Sequence, residues 1–192
     1  MELQLKVSEE QYFFLFINKF SECQTGGSIA ETCEPGWSQI QKKCYKLESP
    51  TFKVTWDVAD TNCKSKGALL ATIESQCEQD FVVKLANKAV AWIGGTDKDK
   101  EGTFVWPSGT EFFKSNAAVS GVYSKLSKIA FNTNAEDAQD CVTLKDDTGE
   151  WDDIICTKTQ DYICEKAAYA GAATFMPTTV PAAGKIRVNN LF

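Results

Sequence analysis

With 192 residues and 43% apolar side chains, the chain can bury a core and is not a disordered polypeptide. Its 20 basic and 26 acidic residues give a formal net charge of −6, which argues against a phosphate-neutralising nucleic-acid surface. Histidine is absent, so the Ser/His/Asp and Cys/His nucleophile pairs and every histidine-based zinc site are excluded.

Residues 1–32 read as a separate leader segment. Its apolar run at 12–17 (YFFLFI) is shorter than a secretory hydrophobic region and follows Glu9 and Glu10, so no clear signal peptide is visible. The stretch QTGGS at 24–28 makes a turn-rich break before the next segment. No stretch is long enough to span a membrane. Cys44-Tyr45-Lys46-Leu47 then predicts a short strand. Trp56, Ala59 and Cys63 recur at helical spacing, which predicts an amphipathic helix over 55–66 with Thr55 as N-cap and Gly67 as its stop. Residues 68–73 (ALLATI) read as a strand, and 74–88 as a second helix with Phe81, Val82 and Leu85 on its apolar face.

Gly94-Gly95 and Pro107-Ser108-Gly109 punctuate short strands around Trp92 and Trp106. Both tryptophans are expected in the core, with the glycine pair giving the backbone a tight path. Periodicity fades over 114–140 and returns at Cys141-Val142-Thr143-Leu144, leaving a long loop of the kind that carries function. Residues 167–192 shift to Ala, Thr and Pro and read as a tail. The expected class is α+β, with two helices flanking short antiparallel strands and one long irregular loop.

Eight cysteines stand at 23, 33, 44, 63, 77, 141, 156 and 164, none in a Cys-x-x-Cys pair. Widely spaced and even in number, they fit a disulfide framework and an oxidising, extracellular compartment. Spacing alone does not choose among the 105 possible pairings.

Several features occur together. Cys33 and Cys44 enclose Glu34-Pro35-Gly36-Trp37, and Trp56 opens the helix that carries Cys63. Trp92-Ile93-Gly94-Gly95 precedes Phe104-Val105-Trp106-Pro107-Ser108-Gly109. Trp151-Asp152-Asp153 stands just before Cys156, and Tyr162-Ile163 before Cys164. This arrangement resembles the long form of the C-type lectin-like domain over residues 33–166. The resemblance implies the bridges Cys33–Cys44, Cys63–Cys164 and Cys141–Cys156, each contributing about 2–4 kcal/mol. Cys23 and Cys77 are left over. They bond to each other, or Cys23 links to another chain and oligomerises the protein.

Residues 136–153 hold eight acids against Lys145, and calcium takes six to eight oxygen ligands. In lectins of this family a loop triplet such as Glu-Pro-Asn and a Trp-Asn-Asp motif hold calcium, which coordinates two sugar hydroxyls. Here Asn132-Thr133-Asn134 takes the triplet's place without its proline, and Trp151-Asp152-Asp153 matches the second motif except for Asp152. Gln139 stands where such lectins usually carry Glu. The resemblance therefore implies a secreted calcium- and carbohydrate-binding protein. Its metal set is Asn132, Asn134, Glu136, Asp152 and Asp153, of which Asn132, Asn134, Asp152 and Asp153 also meet the sugar.

The alternative is a calcium-independent protein-binding module using Phe112, Phe113, Val119, Val122 and Tyr123, residues that could equally be core of the long loop. An enzyme is not expected. Glu150 and Asp153 could be paired for glycoside hydrolysis, but nothing else in the sequence supports catalysis.

Overall fold

The computed structural model describes residues 23, 31–115, 117–126, 138–146 and 148–170. Within them the order is β1 (Glu31–Thr32), β2 (Ser38–Ile40), β3 (Lys43–Glu48), α1 (Trp56–Ser65), β4 (Leu69–Leu70) and α2 (Gln76–Ala86). Then come β5 (Ala91–Thr96), β6 (Thr103–Val105), β7 (Glu111–Lys114), β8 (Ala117–Ala118), β9 (Cys141–Leu144), β10 (Trp151–Ile154), β11 (Asp161–Ala167) and β12 (Tyr169–Ala170).

The predicted helices are present with shorter ends. Thr55 stands at the N-cap of α1, but its side chain makes no capping bond. In α2 the Ser75 side chain accepts from the Glu78 amide, and Asn87 closes the helix in the left-handed conformation. The inward face of α2 differs from the expected one. Val82 and Ala86 are buried with Glu78 and Gln79, whereas Phe81 and Leu85 are only partly buried. The strand expected over 68–73 shrinks to Leu69–Leu70, and beyond it Ala71 donates its N–H to the Ile163 carbonyl and accepts from the Gly94 N–H, each at 2.8 Å.

β11 organises the sheet. It pairs antiparallel with β3 and β4 and parallel with β5, aligning Tyr162 with Trp92. β5 continues to β6 and β9, and β9 forms a hairpin with β10. β1 pairs with β12, so residues on either side of the main sheet meet again.

Cys63–Cys164 ties α1 to β11, Cys33–Cys44 closes the β2–β3 end, and Cys141–Cys156 staples the β9–β10 hairpin. The fourth bond joins Cys23 to Cys77, and no cysteine is free. That leaves no thiol at Cys23 for a link to another chain.

Trp92, Trp106 and Trp151 are all buried, Trp106 stacking on Phe112 with ring centroids 4.1 Å apart. The glycine pair is required by this packing. A Cβ at Gly94 would lie 2.7 Å from Pro107, and one at Gly95 would lie 2.8 Å from the Phe112 ring. Phe112 and Phe113 are core residues of β7, so they do not form the apolar contact surface considered for the long loop.

Candidate functional site

The β9–β10 hairpin carries Asp152 and Asp153 opposite Thr143 and Val142. Trp151 anchors it. Its ring is packed edge-on by Trp106, Phe112 and Tyr123, and its indole N–H donates to Gln79 Oε1 at 2.9 Å. The Gln79 amide nitrogen donates back to the Gly149 carbonyl, so one α2 side chain holds both strand and turn.

Strand alternation sends neighbouring side chains to opposite faces. Asp152 is half-exposed, and Lys145 Nζ lies 3.4 Å from its Oδ1. Asp153 is buried, and burial pushes its carboxyl up to about 6, helped by the charges of Asp152 and Glu101 and opposed by Lys145. Gln139 is partly buried beside Asp140. Asn132, Asn134 and Glu136 lie outside the described residues.

The structure adds residues that the sequence reading passed over. Asp97 follows directly on β5, where its amide donates to the Asp140 carbonyl at 3.2 Å. One of its carboxylate oxygens accepts from the Gly102 amide at 2.8 Å, while Oδ1 is buried without a hydrogen-bond partner. Burial raises this carboxyl to about 7 against the pull of the Gly102 amide, and Glu101 and Asp140 add like charge. Glu101 is raised as well, by burial and then by Asp140. Lys98, next in sequence to Asp97, is turned away to Asp57 at 2.6 Å.

Asp97, Glu101, Asp140 and Asp153 thus form one chain of mutual repulsion linking the end of β5 to the hairpin. Among the described residues no three acid, Cys or His side chains converge as a ready-made cage. The donor set is nevertheless all oxygen, and it contains an orphaned buried carboxylate atom, which suits a hard divalent cation. A sequence signal for Asp97 existed in Thr96-Asp97-Lys98-Asp99-Lys100-Glu101-Gly102, where Asp97 and Glu101, four apart, directly follow the apolar Ala91–Gly95 run.

Known proteins share this architecture. Residues 52–166, more than half of the chain, match the family model for the lectin C-type domain. Lectin BRA-3 of Megabalanus rosa is 34% identical over 149 residues, covering 72% of this chain and 82% of that protein. C-type lectin domain family 4 member F of Mus musculus is 29% identical over 152 residues, 79% of this chain, but the match spans only 26% of that protein's length.

Among solved structures, the cow C-type carbohydrate-recognition domain of CD23, determined in the presence of GlcNAc2Man3 oligosaccharide, superposes with a TM-score of 0.60 at 30% identity. That match covers 72% of this chain and 98% of the other. A calcium-independent type II antifreeze protein superposes with a TM-score of 0.58 at 27% identity, covering 74% and 99%. Fold, cysteine framework and family match agree, and the chain belongs to the C-type lectin domain family, whose domains bind ligands and do not catalyse reactions.

Proposed function

We propose that this protein is a secreted carbohydrate-binding module that works with calcium. Its ligand surface is formed by the Trp151-Asp152-Asp153 strand and the loop residues Asn132, Asn134 and Glu136. The observation that carries the calcium reading is the buried, unpartnered Oδ1 of Asp97, set among the charges of Glu101 and Asp140 with the neighbouring Lys98 turned away to Asp57. Asp97 would offer an ion its unpartnered oxygen, with Glu101 and Asp140 adding negative charge around it, and Asp153 is coupled to Glu101 from the hairpin side.

When bound, calcium supplies positive charge that offsets this repulsion and attracts hydroxyl oxygens. The protein's own part is to fix the acids. Trp151 and Gln79 lock the hairpin, and Asp97 is held by the Gly102 amide. The carbohydrate reading is supported by family membership and by the similarity to a domain solved with an oligosaccharide. Secretion is supported by four disulfides, and among the described residues no helix is long and apolar enough to cross a membrane.

A calcium-independent binding module is the second reading, favoured by the similarity to a calcium-independent antifreeze protein. Calorimetric titration of calcium into the oxidised protein separates the two, with Asp97→Asn and Asp153→Asn as controls. Saturable binding that both controls weaken, followed by chelator-sensitive binding on a glycan array, supports the first reading. No heat at millimolar calcium, with array or protein binding unaffected by chelator, supports the second.

A further inference from the structure

The far end of the β9–β10 hairpin gathers charge on one face. The Lys145 amide donates to the Glu150 carbonyl at 2.8 Å, so the ladder runs one step beyond the Trp151–Leu144 pair. Strand alternation then places Lys145, Glu150 and Asp152 on the face opposite Trp151. Lys145 Nζ sits 3.4 Å from Asp152 Oδ1, both side chains are more than a third exposed, and Glu150 is exposed. A surface pair of this kind contributes little to folding, so stability gives no reason for a cation at residue 145.

The ribbon beneath these groups is braced. Cys141–Cys156 staples its strands, Gln79 of α2 holds Trp151 and the Gly149 carbonyl, and the Thr143 hydroxyl donates to the Asp152 carbonyl at 3.4 Å. A Cβ at Gly149 would lie 2.6 Å from Val83, so the turn leading to Glu150 is also pressed against the helix. Groups carried on such a support meet a ligand with little reorganisation.

A sugar hydroxyl both donates and accepts hydrogen bonds, whereas an ionised carboxylate only accepts and an ammonium only donates. Asp152 by itself meets half of that need. Resting on the carbohydrate reading above, we propose that Lys145 is a ligand-contacting and specificity-determining residue, supplying the donor that Asp152 lacks. The pair takes adjacent hydroxyls of one sugar, one donating to Asp152 and the other accepting from Lys145. Charge makes the second selection. Lys145 is flanked on this face by Asp152 and Glu150, so acid outweighs base, and glycans bearing sulfate or carboxylate groups are rejected in favour of neutral ones. The same cation opposes the metal, because its field reaches Asp153.

The test uses the oxidised full-length chain in millimolar calcium and compares wild type, Lys145→Ala and Lys145→Ala/Asp152→Asn. Calorimetry reads calcium, and an array pairs mannose- and galactose-terminated glycans with their sulfated counterparts. Lys145→Ala should bind calcium about twofold more tightly, yet bind the preferred neutral glycan at least about fivefold more weakly. A lysine that merely supported the fold would lower both affinities together. The double variant should return glycan affinity to within about twofold of wild type, since an asparagine amide carries acceptor and donor in one group. Each sulfated glycan should bind wild type more weakly than its parent. Unchanged glycan affinity in Lys145→Ala, no recovery in the double variant, or a preference for the sulfated forms would overturn the proposal. Wild type that takes calcium but no glycan, or neither, would overturn the carbohydrate reading itself and the proposal with it.

Discussion

Two clusters of carboxylates among the described residues are neutralised differently. In the first, between β3, α2 and β11, Lys43 Nζ lies 2.8 Å from Glu78, 3.0 Å from Glu74 and 3.9 Å from Glu165. Backbone amides complete it, Thr72 donating to Glu165 and Glu74 to Glu78. Burial raises Glu165 to about 7, opposed by Lys43, and burial of Lys43 is outweighed by its three acidic neighbours so that its own pKa rises. In the second, Asp97, Glu101, Asp140 and Asp153 repel one another, and among the described residues Lys145 is the one cation that opposes, from the Asp153 side. Where acids join helix to sheet, the chain provides the cation. Where they lie between the end of β5 and the β9–β10 hairpin, the described residues leave most of the charge open.

Lys43→Met should produce the largest effect. It strands buried Glu78 and partly buried Glu165 and should cost about 3 kcal/mol in thermal or denaturant melts at neutral pH. Part of that loss should return near pH 6, because Glu165 then takes a proton. Asp97→Asn should move stability the other way. It keeps an acceptor for Gly102 and removes an unpaired buried charge, so calcium-free protein should gain about 1–2 kcal/mol and lose any calcium-induced rise in Tm. A loss of stability, or an unchanged calcium response, would remove the contrast between the clusters.

A pH series sharpens the same contrast. Folded Asp97 and Asp153 protonate near 7 and 6, but their unfolded counterparts only near about 4, so the folded state binds more protons in between. Calcium-free Tm should therefore rise as pH falls from about 8 to 5, and saturating calcium should flatten or reverse the slope. A Glu165→Gln background removes the parallel contribution of the first cluster. Lys145→Ala should have the smallest effect, no more than about 0.5 kcal/mol, because its pair with Asp152 is more than a third exposed on both sides.

Much of the fold was legible because its signals are local or carried by many spaced residues. Trp56, Ala59 and Cys63 mark α1 by period, and the Gly94-Gly95 pair foretells close packing that Pro107 and Phe112 then supply. The resemblance implied three of the cysteine pairs, and the Cys23–Cys77 bond was one of two alternatives left open. The acidic site was less legible. Asp140 and Asp153 stand in an obvious acidic run, but Asp97 and Glu101 lie some forty residues earlier, and only the β5–β9 pairing brings them there. Glu78 and Glu165 were equally hidden, since a buried acid looks like a surface acid until its lysine is located across the sheet. Phe112 and Phe113 show the opposite case. They sit at the edge of an aperiodic stretch, yet a bulge between Phe104 and Val105 lets both turn into the core.

The β1–β12 pair has a mechanical consequence. A pull from the N-terminal side enters through the Cys23–Cys77 bond into α2 and bypasses β1, so the clasp is loaded from its β12 strand alone. Behind β12 the Lys166–Glu34 contact at 2.8 Å resists next, and the Cys63–Cys164 bond then stops β11 from being drawn out. The shortest covalent path between the two bonds runs through residues 63–77, so Asp97 and the strand bearing Asp153 lie off the loaded path and keep their register.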